Sequence, residues 1–236
     1  MASVSLTLSS NVFAGVITST LTGDIRAANP DNLIVNVTVT FDDLNDTTAD
    51  WVIDLNSPNH PNIKLDAFYA NLASSVDLGN AGLQDDLTFS SFVPTGWIAK
   101  FNVQPSGAGA GTSTFSFEVD KGTGGGIANV TNTQSLSFTT TLTNGLYWST
   151  SVFTGAPTLT GDAGSGQLGA HLQSLEQGPG NTTDSGFAFG VYKDSTSVPP
   201  PGIVPEPGSM VTWSLLVVGC FACARRRRQK QPTGDL

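Results

Sequence analysis

Val35, Val37, Val39 and Phe41 alternate with Asn36, Thr38 and Thr40 behind a leading Leu33. Apolar side chains at a period of two are the mark of a strand with one buried face. The same pattern returns in Ile63–Tyr69, Trp97–Val103, Phe115–Val119 and Leu136–Leu142. Weaker versions occupy Ser3–Ser9, Trp51–Leu55, Leu87–Phe92, Leu168–Leu175 and Gly186–Tyr192, and residues 1–25 as a whole alternate in a strand-like way. Turn signals separate these runs: Asn29-Pro30-Asp31, Ser57-Pro58-Asn59, glycine-rich stretches at 107–111 and 122–126, and Asn144-Gly145, which reads as a two-residue hairpin. No repeat of fixed period is present, which sets aside a solenoid or propeller. Many short strands, each apolar on one side and rich in Thr, Ser or Asn on the other, predict an all-β domain over residues 1–194. The expected form is an antiparallel β-sandwich of jelly-roll type.

Composition agrees. Ser, Thr, Gly and Asn make up 93 of the 236 residues, and charged residues only 12%. That mixture is short of good helix formers, so a helical bundle is excluded. Thirteen Phe and four Trp can fill a core, which argues against a disordered chain. The net charge is −9, but residues 1–204 carry five basic and seventeen acidic side chains. A body of that sign repels phosphate backbones, so nucleic acid is not an expected partner.

The last forty residues differ in kind. Ser195–Pro207 holds five prolines and reads as a stiff, extended linker. Gly208–Ala224 follows, 17 residues without a charge. As a helix it would measure about 26 Å, at ~1.5 Å per residue, just short of the ~30 Å hydrocarbon core of a bilayer. Arg225–Arg228 then open a basic tail, 225–236, of the kind retained on the cytoplasmic side. The reading is a membrane segment at 208–224 with the body outside. Cys220 and Cys223 fall in this segment as small packing residues, and the body contains no cysteine at all.

Val204-Pro205-Glu206-Pro207, an apolar span, and Arg225-Arg226-Arg227-Arg228, in that order, resemble the PEP-CTERM protein-sorting signal, also catalogued as an ice-binding-protein C-terminal domain. The resemblance covers Val204–Arg228. It implies an exported protein of a Gram-negative bacterium, held in the inner membrane during sorting. An exosortase-type membrane protease would handle it near Pro205-Glu206-Pro207, with Arg225–Arg228 as the retention signal, and deliver it to the cell surface or extracellular matrix. Export also calls for a signal peptide. Residues 1–25 lack a basic side chain and an apolar core, so the expectation is a leader upstream of Met1.

Candidate chemistry in the body is sparse. His60 lies in a loop and His171 in a strand, with no Gly-x-Ser-x-Gly elbow to supply a nucleophile. Glu118-Val119-Asp120 has half the carboxylate spacing of a laminarinase-type strand, but Thr123 stands where the second Glu belongs. Gly164-Ser165-Gly166-Gln167-Leu168-Gly169 matches the Gly-x-Gly-x-x-Gly dinucleotide-binding pattern without the βαβ unit it requires, and reads as a loop. Asp42, Asp43, Asp46, Asp50 and Asp54 form an acidic run in which a structural calcium is conceivable and a solvated loop is the simpler reading. Thr38, Thr40, Thr139–Thr141 and Thr143 suggest threonine-rich strand faces. No catalytic residue, metal ligand or cofactor is expected. The leading expectation is a non-enzymatic structural or adhesive surface protein. The alternative is a carbohydrate-binding module for matrix polysaccharide, gripping through aromatics such as Trp97, Tyr147 or Trp148.

Overall fold

A computed structural model describes residues 14–23, 32–42, 46–76, 86–103, 114–123, 126–143, 145–159, 165–176 and 184–193. All belong to the unit Met1–Val198. The sorting residues Val204–Pro207, the apolar segment 208–224, Arg225–Arg228 and the strand expected at 3–9 lie outside the described residues. No helix among the described residues is long and apolar enough to cross a membrane.

The described chain is all-β and antiparallel. The strands are β1 (Ala14–Gly23), β2 (Leu33–Asp42), β3 (Thr48–Leu55), β4 (Lys64–Ala70), β5 (Leu87–Val93) and β6 (Trp97–Val103), then β7 (Phe115–Lys121), β8 (Leu136–Leu142), β9 (Thr158–Leu159), β10 (Ser165–Gly166), β11 (Leu168–Leu175) and β12 (Asp184–Gly190). Ten of them form one sheet in the order β5-β8-β3-β2-β1-β12-β11-β4-β7-β6, while β9 and β10 pair apart. The sheet is rolled into a nearly closed, barrel-like form in which the half ending at β1 faces the half ending at β6.

The rolling follows from burial. Each strand of the first half must hide its apolar side, and the nearest apolar surface is that of the second half. Trp51 of β3 meets Phe68 of β4 and Phe117 of β7 at ring-centroid distances of 6.1 and 5.6 Å, and Phe138 of β8 reaches Phe68 at 6.5 Å. The halves join where β1 crosses to β12 through Thr22–Phe189 and Gly23–Ala188. Glycine is required there: a Cβ on Gly23 would lie 2.4 Å from the Phe187 carbonyl oxygen.

Two local expectations are corrected. Past Gly145 the chain does not return as a hairpin. It closes a turn with Leu146 N donating to Thr143 O and enters a 3-10 turn at Thr150–Phe153. The reason is packing, because Trp148 and Phe153 stack at 5.4 Å and plug the core from its end. The glycine-rich 164–169 segment is not a plain loop either: Ser165–Gly166 is β10 and β11 starts at Leu168. Gly169 is there because a Cβ would sit 2.7 Å from the Phe187 ring.

Candidate functional site

Where β4, β6, β7, β11 and β12 lie side by side, register lines up two rows on the outer face. One is Ile98–Asp120–Ala67–His171–Phe187, the other Lys100–Glu118–Tyr69–Gly169–Phe189. At the centre, Tyr69 packs between Phe115 (5.4 Å) and Phe187 (5.6 Å), forming with Ala67 a small second core. Charged groups surround it. His171, 6% exposed, shares a hydrogen bond of 2.9 Å between its Nδ1 and Asp66 Oδ2. Lys100 forms an ion pair with Asp120, and Tyr69 hydrogen-bonds Glu118.

The electrostatics follow from this packing. Burial lifts the Glu118 carboxyl above its ordinary range, Lys100 draws it down, and Asp120 and Asp66 add to the rise. Burial, then Glu118, raises the Tyr69 hydroxyl, so it stays a neutral donor. The hydrogen bond to Asp120 keeps Lys100 charged. Because Asp66 is an acceptor, the Nδ1 proton of His171 belongs between them, which leaves Nε2 as an acceptor in the neutral ring. Neither Nε2 nor Asp120 Oδ1 has a hydrogen-bond partner among the described residues. The patch therefore holds acid–base groups, but each charge is tied to a neighbour, no Ser, Thr or Cys stands within the two rows, and the Tyr69 hydroxyl is held neutral against Glu118. Sequence reading singled out Glu118 and Asp120 as one motif and His171 apart from it. Their convergence with Asp66, Tyr69 and Lys100 depends on the order β11-β4-β7-β6, which local pattern does not encode.

The other half of the sheet has an outer face of a different kind. Across β1, β2, β3, β8 and β5 the register aligns Thr20–Asn36–Asp54, Thr18–Thr38–Val52–Ser137, Thr40–Asp50–Thr139–Ser90 and Thr48–Thr141–Thr88. Neighbours in such a grid stand ~4.8 Å apart across strands and ~6.8 Å apart along them. Thr139 Oγ1 donates to Asp50 Oδ1 at 2.7 Å, Thr20 Oγ1 to Asn36 Oδ1 at 3.2 Å, and the Ser135 hydroxyl to Asp54. With those protons used, hydroxyl oxygens are left as acceptors toward solvent. Thr38, Thr40, Thr139 and Thr141 all join this face. Thr140 points inward and is fully buried.

Other expected residues fall elsewhere. Trp97 and Trp148 are 3% and 1% exposed, so neither can grip a ligand; both are core residues. Tyr147 is exposed. His60 is buried in its turn, where Nδ1 accepts the Glu176 amide at 3.0 Å. Asp46 caps the start of β3 by accepting from the Thr48 amide and hydroxyl, while Asp50 and Asp54 stand in different rows of β3. Among the described residues no three His, Cys, Asp or Glu converge as metal ligands. A cavity of about 270 Å³ opens beside Ile17, Phe153, Tyr192 and Lys193. Its polar wall is largely engaged, since Gln167 Nε2 donates to Gly155 O and its Oε1 accepts the Tyr192 amide.

Comparison with protein-family models, with curated proteins and with solved structures finds no match for this chain.

Proposed function

We propose that the chain is an exported, non-catalytic surface or extracellular-matrix protein of a Gram-negative bacterium, sorted by a C-terminal PEP-CTERM signal. Its body is a jelly-roll-like sandwich with a structural or adhesive role. One observation carries the reading: Pro205-Glu206-Pro207, 17 uncharged residues and Arg225–Arg228 follow one another in that order at the end of an acidic body. The prolines keep the backbone extended where a protease must bind it. The apolar span and the arginines fix the segment in the membrane with its end inside. Partners in this reading are an exosortase-type protease and the inner membrane. No nucleic acid and no cofactor enter.

The test is mass spectrometry of the chain released from a host carrying an exosortase. The released protein should end near Pro205–Pro207 and lack Arg225–Arg228, and replacing Pro205-Glu206-Pro207 by alanines should leave it in the membrane fraction. Released protein that still carries the four arginines would overturn the reading.

A second reading, a carbohydrate-binding body, is favoured by the hydroxyl grid. That face offers Thr, Ser and Asn groups in register with Asp50 and Asp54, and the one basic residue in register with the rows among the described residues is Lys193, bridged to Thr18 at their edge. Such a surface suits a neutral or basic polysaccharide that donates hydroxyl or ammonium protons. Glycan-array binding lost on Thr40→Val with Thr139→Val, and kept on Tyr147→Ala, would place the ligand on this face; an array without binding would end this reading.

A further inference from the structure

The seam between β1 and β12 is open along part of its length. The strands pair at Gly23–Ala188 and Thr22–Phe189, separate, and meet again where Thr18 bridges Lys193. The register is the same on both sides of the gap, so no inserted residue causes it. Side chains take over the backbone bonds there. Ser19 Oγ donates to Val191 O at 2.7 Å, and the Tyr192 amide donates to Gln167 Oε1 at 3.0 Å. The Tyr192 hydroxyl donates to Asn71 O at 3.0 Å, and Gln167 Nε2 to Gly155 O at 2.7 Å. A gap braced in this way is held open by the protein itself, which spares a ligand the cost of ordering it.

The cavity of about 270 Å³ lies between this gap and the Thr150–Phe153 turn. Its floor is apolar and fixed. Ile17 and Phe153 are buried, and Phe153 stacks on Trp148 at 5.4 Å and on Phe41 at 5.5 Å and meets Tyr192 edge-on at 5.0 Å. Its mouth is polar, because Thr150, Thr154 and Lys193 are exposed. With Gln167 and the Tyr192 hydroxyl committed to the protein, the mouth holds the groups left for a ligand. Thr154 Oγ1 donates to Ser151 O at 2.8 Å and keeps its lone pairs as acceptors. The Thr150 hydroxyl and the Lys193 ammonium bond no described residue, whereas Lys100 is paired with Asp120 and Lys121 donates to Asn129.

We propose that this cavity binds one hexuronate ring, a sugar bearing a carboxylate, as a terminal unit or side branch of an acidic polysaccharide. The volume equals about nine waters at ~30 Å³ each and falls below the ~300–1,000 Å³ of sites for larger ligands, so it suits a single ring. The C–H surface of the sugar covers Ile17, Phe153 and Tyr192. Its carboxylate accepts from Lys193, one ring hydroxyl donates to Thr154 Oγ1, and another pairs with Thr150. The charge is specific to this place. Residues 1–204 carry seventeen acidic and five basic side chains, so most of the body repels an anion, and an uncommitted lysine over an apolar floor attracts one. The site depends neither on the sorting reading nor on the hydroxyl face.

An NMR titration of the full chain in detergent tests the proposal, with methyl glucuronoside, methyl glucoside and benzoate as probes. The glucuronoside should shift the amides of Thr150, Thr154 and Lys193 with a Kd of about 1 mM, as suits one ring in an open site. The glucoside lacks the carboxylate and benzoate lacks the hydroxyls, so each should bind about tenfold or more weakly. This comparison decides the matter in the wild type without any variant. Lys193→Met should erase the preference for glucuronoside over glucoside and leave amides of β2 and β3 where they were, which reports an intact fold. Lys193→Arg should keep the preference. No saturable shift at the three amides, a glucoside or benzoate that binds as tightly as the glucuronoside, or a folded Lys193→Met chain with full preference would overturn the proposal. Shifts confined to the Thr40–Asp50–Thr139 row would also overturn it, by assigning the sugar to the outer face.

Discussion

Replacing Thr140 by valine tests whether the core depends on one buried polar contact. Trp51 is fully buried, stacked on Phe138 at 5.7 Å and edge-on to Phe117, Phe68 and Trp148. Its Nε1 donates to Thr140 Oγ1 at 2.9 Å, and that hydroxyl donates in turn to the Ala49 carbonyl at 3.1 Å. Valine keeps the shape of threonine and removes the acceptor, so the indole N–H is left unpaired in an aromatic interior. A buried donor left without a partner costs about 1–3 kcal/mol. For a body of this size that lowers Tm by roughly 2–12 °C, at ~2–4 °C per kcal/mol. Packing losses alone would be smaller, because no cavity opens. The decisive assay is a double-mutant cycle with Trp51→Phe, read by urea unfolding followed by circular dichroism. In the phenylalanine background there is no N–H to strand, so Thr140→Val should cost little, and the coupling energy should reach about 1 kcal/mol. If Thr140→Val costs under ~0.3 kcal/mol, or the same in both backgrounds, the hydrogen bond does not support the core as argued.

Three further outcomes are expected. Glu118 has a folded-state pKa above its ordinary 4.5, so the folded chain holds the extra proton and this group's contribution to stability declines as pH rises from about 4.5 through the raised value. Glu118→Gln keeps an acceptor for Tyr69 and removes the titration. Its stability relative to wild type should climb over that interval and then level off in thermal melts taken across pH, and a flat difference would contradict the sign. Gly169→Ala forces a Cβ to 2.7 Å from the Phe187 ring, for an expected loss of about 1–3 kcal/mol that Phe187→Leu in the same chain should largely relieve in urea titrations. Asn71 is 6% exposed; it donates to Ala156 O and Thr158 Oγ1 and accepts the Ser116 amide. Asn71→Ala strands several buried groups at once and should cost about 3 kcal/mol or more by chemical denaturation.

Strands were legible wherever one face is buried and the other wet. Leu33–Phe41, Trp97–Val103 and Leu136–Leu142 occur as β2, β6 and β8 within a residue of the expected bounds. β4, expected at Ile63–Tyr69 and found at Lys64–Ala70, was located equally well, but its inward face was not legible because both its faces are covered. Leu65, Phe68 and Ala70 join the main core and Ala67 and Tyr69 the outer cluster, with a register shift opposite His171 and Leu172. Alternation reports that sides differ, not which side faces in, so Tyr69, Phe115 and Phe187 could not be told from main-core aromatics. The misplaced hairpin at Asn144-Gly145 has a similar cause. Turn chemistry is local, whereas the demand for Trp148 and Phe153 at the end of the core comes from strands distant in sequence.

The same distinction separates what pattern reading can say about function from what it cannot. Period two assigned Thr38, Thr40 and Thr139 to polar faces, but separate strands do not say whether those faces meet. Strand order does: β8 and β2 flank β3, so residues about a hundred positions apart in sequence become a continuous row through Asp50. On the other half of the sheet, the same geometry brings Glu118 and Asp66 around a buried tyrosine. One half therefore presents hydroxyls and the other a compensated, partly apolar charge cluster. Substitutions in the hydroxyl rows leave the interior contacts intact, whereas substitutions at Tyr69 or Phe187 remove packed aromatic surface. Loss of binding without loss of stability should accordingly map to the Thr40–Asp50–Thr139 row, and a map centred on Tyr69 would instead assign recognition to the charged half.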